Sequence, residues 1–242
     1  MRRLLNGHPR IFCPPEIKFH KDLLCQFPGD LLAHGRLGSS IKALQLPVEV
    51  YLDEFGRALC RCYELAARNA GKSRWADKNP ENAINAMHWD RLLQGEMMFV
   101  LVVRHPFDIV ASMQEAKMDK VIAPYAQGRA QHVANYITSG LAFVGQHPDR
   151  SVMLRYEELV AQPQKQLHLL MERLGECYDD RMLIGLGSKN HGKGLEDPKA
   201  RLHSDISTVT VGRWRKDICG NELKIMRPIL APIAAELGYD LD

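Results

Sequence analysis

The feature that most constrains the fold is a short apolar run that ends in an arginine. The run extends from Met97 to Val103, Arg104 follows at once, and Pro106 begins a stretch with helical spacing up to Lys117. A buried strand followed by a helix with proline in its first turn places Arg104 at the carboxyl edge of a sheet, where open α/β folds bind ligands. The N–H groups at the start of that helix also favour an anion. The segment therefore predicts an anion site, with phosphate as its natural ligand.

Ser112 lies on the predicted helix, about two turns from its start. It reaches the same anion if the helix runs alongside the ligand. The alternative is that Arg104 pairs with a carboxylate at the sheet edge and that Ser112 packs against a neighbouring helix. From this segment alone, the two interpretations are equally well supported.

Strands and helices alternate along much of the chain. Hydrophobic periodicity predicts strands at 74–77, 97–103 and 151–155 and helices at 41–70 (broken near Pro47), 80–93, 106–117, 127–146 and 221–237. Such alternation indicates a parallel sheet with helices on its faces, a three-layer α/β fold. We expect one domain over residues 1–242, with a long polar surface loop at 185–207.

The composition excludes several classes of protein. The chain has 242 residues, 45% of them hydrophobic and 25% charged, and its 32 Lys+Arg nearly balance its 29 Asp+Glu. These values are typical of a soluble globular protein and do not favour a nucleic-acid binder. No apolar run approaches the roughly 20 residues of a transmembrane helix, and polar residues interrupt the basic N-terminus before a signal peptide develops. The 6 cysteines lack zinc-binding spacing, so we expect reduced thiols, no metal and a cytoplasmic location.

Four segments together resemble a known family. Val103-Arg104-His105-Pro106 through Ser112 is similar to the 3′-phosphate-binding segment of sulfotransferases that use 3′-phosphoadenosine-5′-phosphosulfate (PAPS). Segments similar to other parts of that family occur in the same order, at Trp75–Pro80, Leu154–Val160 and Val211–Lys216. The resemblance implies a P-loop-like sulfotransferase fold with PAPS as co-substrate, no metal, and direct transfer of the sulfuryl group to a hydroxyl or amine.

Within that family, the chain most resembles the bacterial and tyrosylprotein sulfotransferase branch. Leu4-Leu5-Asn6-Gly7-His8-Pro9, followed by Glu16, has the layout of that branch. By this resemblance Glu16 is the general base for the acceptor hydroxyl, and Lys78 neutralises charge on the transferring group or the leaving phosphate. Without the resemblance, Glu16 is a surface carboxylate and Lys78 a solvated charge, with Asp77 available as a salt-bridge partner.

The resemblance also implies a nucleotide site. Arg104 and Ser112 correspond to residues that bind the 3′-phosphate, Tyr156 to a tyrosine near the nucleotide, and Arg213 to a residue of the last loop that contacts the sulfuryl donor. Tyr156 is equally well explained as a core or helix-start tyrosine. Trp214, beside Arg213, is better explained as a packing anchor.

One expected part of the family pattern is missing from the printed sequence. Relatives have a first strand and an Arg-Ser-Gly-Thr-Thr type of loop, which binds the 5′-phosphosulfate, before the segment that corresponds to Met1–Leu5. A start assigned too late, a shortened chain or a degenerate protein would each explain this. We expect the chain to bind PAPS weakly and to expose a sheet edge or an apolar groove, which favours self-association unless neighbouring elements cover it.

Two other functions remain open. A nucleotide-dependent phosphotransferase of related fold would need a glycine-rich Lys-Ser/Thr loop and magnesium ligands, and the sequence has no such loop. A catalytically impaired, sulfotransferase-like binding protein would keep the fold for a partner. The acceptor is a small molecule, carbohydrate, lipid or peptide, and an oligomer is compatible with the sequence.

Overall fold

A computed structural model describes residues 1–17, 35–117, 124–184 and 206–241. The chain divides into two compact units. The first comprises Met1–Met98 with Tyr178–Glu196, and the second comprises Phe99–Cys177 with Asp197–Asp242. No helix in the described ranges combines the length and apolar character that crossing a membrane requires.

The secondary structure alternates between helices and short strands. In the first unit, the elements up to Met98 are α1 (Arg2–Gly7), β1 (Ile11–Phe12), α2 (Gly35–Ala43), α3 (Val48–Asn69), β2 (Arg74–Trp75), a 3₁₀ turn (Pro80–Asn82) and α4 (Ala86–Leu92). The second unit continues with β3 (Phe99–Val103), α5 (Pro106–Glu115), α6 (Ala126–Gln146), a 3₁₀ turn (Pro148–Arg150), β4 (Ser151–Arg155), α7 (Tyr156–Ala161) and α8 (Pro163–Arg173). The last elements are α9 (Arg181–Ile184), which belongs to the first unit, and α10 (Trp214–Asp217) and α11 (Gly220–Glu236) of the second.

The first unit is built on a parallel pair of strands covered by an amphipathic helix. Strand β1 pairs with β2 in the register Ile11↔Arg74 and Phe12↔Trp75. The apolar face of α3 forms a core cluster with α4, in which the buried residues are Leu52, Leu59, Tyr63, Trp89 and Leu92. Gly56 allows the two helices to touch, because a Cβ there would lie 2.1 Å from the carbonyl oxygen of Leu92.

The turn between α1 and β1 is held by side chains. The Nζ of Lys72 donates to the carbonyl oxygens of Asn6 (2.5 Å) and Ile11 (2.8 Å). The Oδ1 of Asn6 accepts from the backbone N–H of Cys13 at 3.0 Å. Burial lowers the pKa of Lys72. These bonds fix the path by which the chain leaves α1 and reaches Glu16.

The second unit contains a longer parallel pair. Strands β3 and β4 pair over five residues, from Phe99↔Ser151 to Val103↔Arg155. Helix α6 packs on both strands, and Gly140 lets it approach, since a Cβ there would lie 2.6 Å from Cδ1 of Leu101. Helix α11 packs along α6, and the buried Arg129 of α6 forms an ion pair with Glu222 of α11.

The described elements confirm the predicted parallel α/β fold. The break at Pro47, strand Ser151–Arg155 and the last helix, followed by Gly238 at φ 69°, occur as the periodicity predicts. The predicted helix at 80–93 is instead a 3₁₀ turn followed by α4, because the side chain of Asn82 bonds to Asp77 and Trp89. The predicted loop at 185–207 lies almost wholly outside the described residues, and the single-domain assignment stays a prediction.

Candidate active site

Glu16 and Lys78 meet in the first unit. Because β1 and β2 run parallel, the chain leaves both strands at the same edge. Glu16 follows β1 and Lys78 follows β2, and the Nζ of Lys78 lies 2.5 Å from Oε1 of Glu16. The Glu16 side chain is 12% exposed and that of Lys78 is 36% exposed. The two residues with predicted catalytic roles therefore form one ion pair that is partly shielded from water.

Neighbouring side chains fix both ends of this pair. The Nδ2 of Asn79 donates to the carbonyl oxygen of Ile17 at 3.1 Å, which ties the segment carrying Lys78 to the segment carrying Glu16. Lys78 forms its ion pair with Glu16, whereas the carboxylate of Asp77 accepts hydrogen bonds from Tyr63 (2.8 Å) and Asn82 (2.7 Å). The ion pair that Lys78 makes in the described structure is thus with Glu16.

Cys13 lies near this pair but is unsuited to nucleophilic chemistry. Its side chain is fully buried. Burial, followed in importance by the charge of Asp77, raises the pKa of the Cys13 thiol to about 12. The thiolate is the reactive form of cysteine, so Cys13 serves as a core residue.

Arg104 and Tyr156 lie side by side in the second unit. Arg104 directly follows β3 and Tyr156 directly follows β4, at the end of the register that pairs Val103 with Arg155. The Cζ of Arg104 stacks over the Tyr156 ring, 4.5 Å from its centroid. The predicted position of Arg104 at the carboxyl edge of the strands is confirmed. Its buried Nε has no hydrogen-bond partner within the described parts of the chain, and one of its Nη atoms lies 4.0 Å from Oδ2 of Asp108, so the pairing with a carboxylate that the sequence left open is present.

The segment before α10 contacts both Arg104 and Tyr156. The carbonyl oxygen of Thr210 accepts from an Nη of Arg104 at 2.6 Å, and its hydroxyl lies 3.0 Å from the Tyr156 hydroxyl. Asp108, fully buried in the first turn of α5, accepts from the N–H groups of Gly212 (2.7 Å) and Trp214 (3.0 Å). One carboxylate thus holds residues 210–214 beside the arginine.

Ser112 and Arg213, the other two predicted nucleotide-binding residues, make different contacts. Ser112 lies one turn beyond Asp108 on α5 and is half-buried, and its hydroxyl makes no hydrogen bond to Arg104, Tyr156 or Arg213 in the described structure. Arg213 is bound on two sides, to Glu115 and to Asp217, each at 2.5 Å.

Burial alone would lower the pKa of the Arg213 guanidinium, but these two hydrogen bonds raise it above its ordinary value. A phosphate at Arg213 would therefore compete with two carboxylates. The nucleotide-binding roles of Ser112 and Arg213 stay predictions.

Trp214 is a packing anchor, as the sequence predicts. It is 4% exposed and lies against the rings of His105 and Phe107, each with its centroid at 5.2 Å. Sequence reasoning missed Thr210, Asp108 and Asn79. An acidic residue in a first helical turn and a threonine in a loop are common, so no local signal distinguishes them.

The comparisons with known proteins agree with this arrangement of elements. The model of the sulfotransferase family matches residues 1–180. The chain therefore belongs to the sulfotransferase family.

A curated relative, protein-tyrosine sulfotransferase 2 of Gallus gallus, is 23% identical over 255 aligned residues. The alignment covers 99% of this chain and 66% of the relative, so the chain spans about two thirds of that protein's length.

Two solved structures share the fold. The sulfotransferase domain from the curacin biosynthetic pathway has a TM-score of 0.66 at 21% identity, covering 100% of this chain and 93% of that domain. The sulfotransferase domain from the Synechococcus PCC 7002 olefin synthase has a TM-score of 0.67 at 21% identity, covering 100% of this chain and 90% of that domain. The P-loop-like sulfotransferase fold implied by the sequence is thereby confirmed.

Proposed function

We propose that this protein transfers a sulfuryl group from PAPS to an acceptor hydroxyl or amine. The observation that carries the proposal is the Glu16–Lys78 ion pair. In it, a carboxylate oxygen and an ammonium nitrogen lie 2.5 Å apart and are partly shielded from water. The pair occurs in a chain of the sulfotransferase family. The family match favours sulfuryl transfer over the phosphoryl transfer that a related fold would also allow.

Glu16 is the proposed general base. The acceptor oxygen forms a bond to sulfur while the bond from sulfur to the bridging phosphate oxygen breaks, and 3′,5′-adenosine diphosphate leaves with that electron pair. The acceptor proton passes to the Glu16 carboxylate. Lys78 contributes positive charge where negative charge accumulates on the sulfuryl and leaving groups.

Arg104 and Tyr156 are the proposed site for the 3′-phosphate of the sulfuryl donor. A stacked guanidinium with a buried, unpartnered Nε in the described structure is a suitable hydrogen-bond donor to a phosphate. Ser112 and Arg213 are proposed to add contacts to this anion, Arg213 after releasing one of its carboxylates.

The test is transfer of ³⁵S from labelled PAPS to a mixed acceptor panel. The panel includes a tyrosine peptide, because the name of one relative specifies protein tyrosine, together with a phenol, a sugar and an amine. We expect Glu16→Gln to lower kcat by about 100-fold or more with little change in affinity for the sulfuryl donor. The exposed Glu96 supplies the matched control, Glu96→Gln, which should retain full activity. Undiminished turnover in Glu16→Gln would assign the base to another residue.

A further inference from the structure

Lys78 lies in a segment without regular secondary structure. Strand β2 ends at Trp75, and the next 3₁₀ turn begins at Pro80. A lysine side chain has several rotatable bonds, so holding its ammonium in one place has an entropic cost. The position of Lys78 against Glu16 must therefore be supported by the residues around it.

A chain of hydrogen bonds provides that support. The indole Nε1 of Trp89 donates to Oδ1 of Asn82 at 2.9 Å, and Nδ2 of Asn82 donates to Oδ2 of Asp77 at 2.7 Å. On the other side, the hydroxyl of Tyr63 donates to Oδ1 of Asp77 at 2.8 Å. Trp89 is 6% exposed and Tyr63 is 3% exposed, so both ends of the chain are anchored in the core of the first unit.

The direction of this chain is fixed by chemistry. An indole N–H can only donate, so Asn82 must turn its oxygen to Trp89 and its NH₂ group to Asp77. Burial first, and the adjacent Asp77 second, raise the pKa of Tyr63 far above its ordinary value, so its hydroxyl keeps its proton and donates. Residue 77 must then accept on both sides, which an ionised carboxylate does and a carboxamide does not.

We propose that Asp77 is a positioning residue for Lys78, and that it acts through its two acceptor oxygens. They hold the segment between β2 and the 3₁₀ turn so that the neighbouring ammonium meets Glu16. Asn79, on the other side of Lys78, supplies the second anchor through its bond to Ile17. The inference rests on the function proposed above, because the ion pair it maintains is assigned the chemistry there.

The test exchanges the two side chains of the network. Asp77→Asn places an NH₂ group where an acceptor is required, and Asn82→Asp places a second carboxylate against Asp77. In the double variant Asp77→Asn/Asn82→Asp, the new aspartate accepts from Trp89 and from the new asparagine, which still accepts from Tyr63. Each donor of the three hydrogen bonds described above again faces an acceptor, so the exchange should restore the position of Lys78 that each single change disturbs.

Two measurements are made on all three variants. We expect each single change to lower kcat at least about tenfold with KM for PAPS within about twofold, and the exchange to recover most of kcat. The second measurement needs no activity. It is the rate at which an amine-reactive reagent labels Lys78, read by mass spectrometry against the exposed Lys165. Loss of the ion pair should raise Lys78 labelling several-fold in the single variants, and the exchange should return it to the wild-type rate.

The outcomes separate the two proposals. If Lys78→Ala retains full transfer, the catalytic role of Lys78 fails, while the labelling ratios still decide whether Asp77 positions this lysine. Wild-type labelling of Lys78 in a folded Asp77→Asn protein would overturn the inference. The inference would also be overturned if the double variant folds but its Lys78 is labelled as fast as in the single variants. Donor–acceptor matching at residues 77 and 82 would then not determine the position of the Lys78 ammonium.

Discussion

Replacing Asp108 tests whether one carboxylate holds the segment beside Arg104. Asp108 is fully buried and accepts from two backbone N–H groups, of Gly212 at 2.7 Å and of Trp214 at 3.0 Å. Asp108→Asn keeps the shape of the side chain but turns an NH₂ group towards one of these N–H groups. A hydrogen bond to a charged group contributes about 1.5–3 kcal/mol, and a buried group left unsatisfied costs about 1–3 kcal/mol. We therefore expect a loss of about 2–4 kcal/mol in the free energy of unfolding, since the two effects overlap.

The assay is urea denaturation followed by tryptophan fluorescence, to which the buried Trp214 contributes locally. Asp149 is an exposed aspartate of the same unit, and Asp149→Asn should change the free energy of unfolding by less than about 0.5 kcal/mol. A loss below about 1 kcal/mol in Asp108→Asn would show that residues 210–214 are held by other contacts, and the argument from Asp108 would be wrong.

Two further predictions concern packing and burial. At pH 8, iodoacetamide should label the exposed Cys62 within minutes and leave Cys13 unmodified in the folded protein, because Cys13 is buried and its pKa is about 12; equal labelling by mass spectrometry would contradict the burial. Gly56→Ala should cost about 3 kcal/mol or more, because its Cβ would meet the Leu92 carbonyl oxygen at 2.1 Å. Gly145→Ala, in open space on α6, should instead stabilise the protein by about 0.5–1 kcal/mol in the same denaturation assay. A stabilising Gly56→Ala together with a destabilising Gly145→Ala would contradict the close packing at Gly56.

Long periodic elements were predictable from the sequence. Strand β3, Arg104 and the start of α5 follow from an apolar run, a charge and a proline, and all three occur where expected. Strand β4 and the end of α11 also follow from local signals. Strand β1 has two residues, too few to show a period, and the sequence analysis missed it.

The contacts within the candidate site were less predictable. Asp108 bonds to residues more than 100 positions away in the sequence, and no local pattern encodes such a partner. The roles of Glu16 and Lys78 came from the family resemblance, because a carboxylate and an ammonium separated by 62 positions have no recognisable spacing. Their contact depends on the parallel pairing of β1 and β2, which only the folded chain reveals.

The most direct test of the nucleotide site compares two ligands that differ only in the 3′-phosphate. Isothermal titration calorimetry would measure 3′,5′-adenosine diphosphate against adenosine 5′-monophosphate, for the wild-type protein and for Arg104→Ala. If Arg104 binds the 3′-phosphate, the wild-type protein should prefer the diphosphate by about 30-fold or more, corresponding to about 2 kcal/mol, and Arg104→Ala should lose most of that preference. Equal affinity of the wild-type protein for the two ligands would contradict the proposed site and the use of PAPS with it.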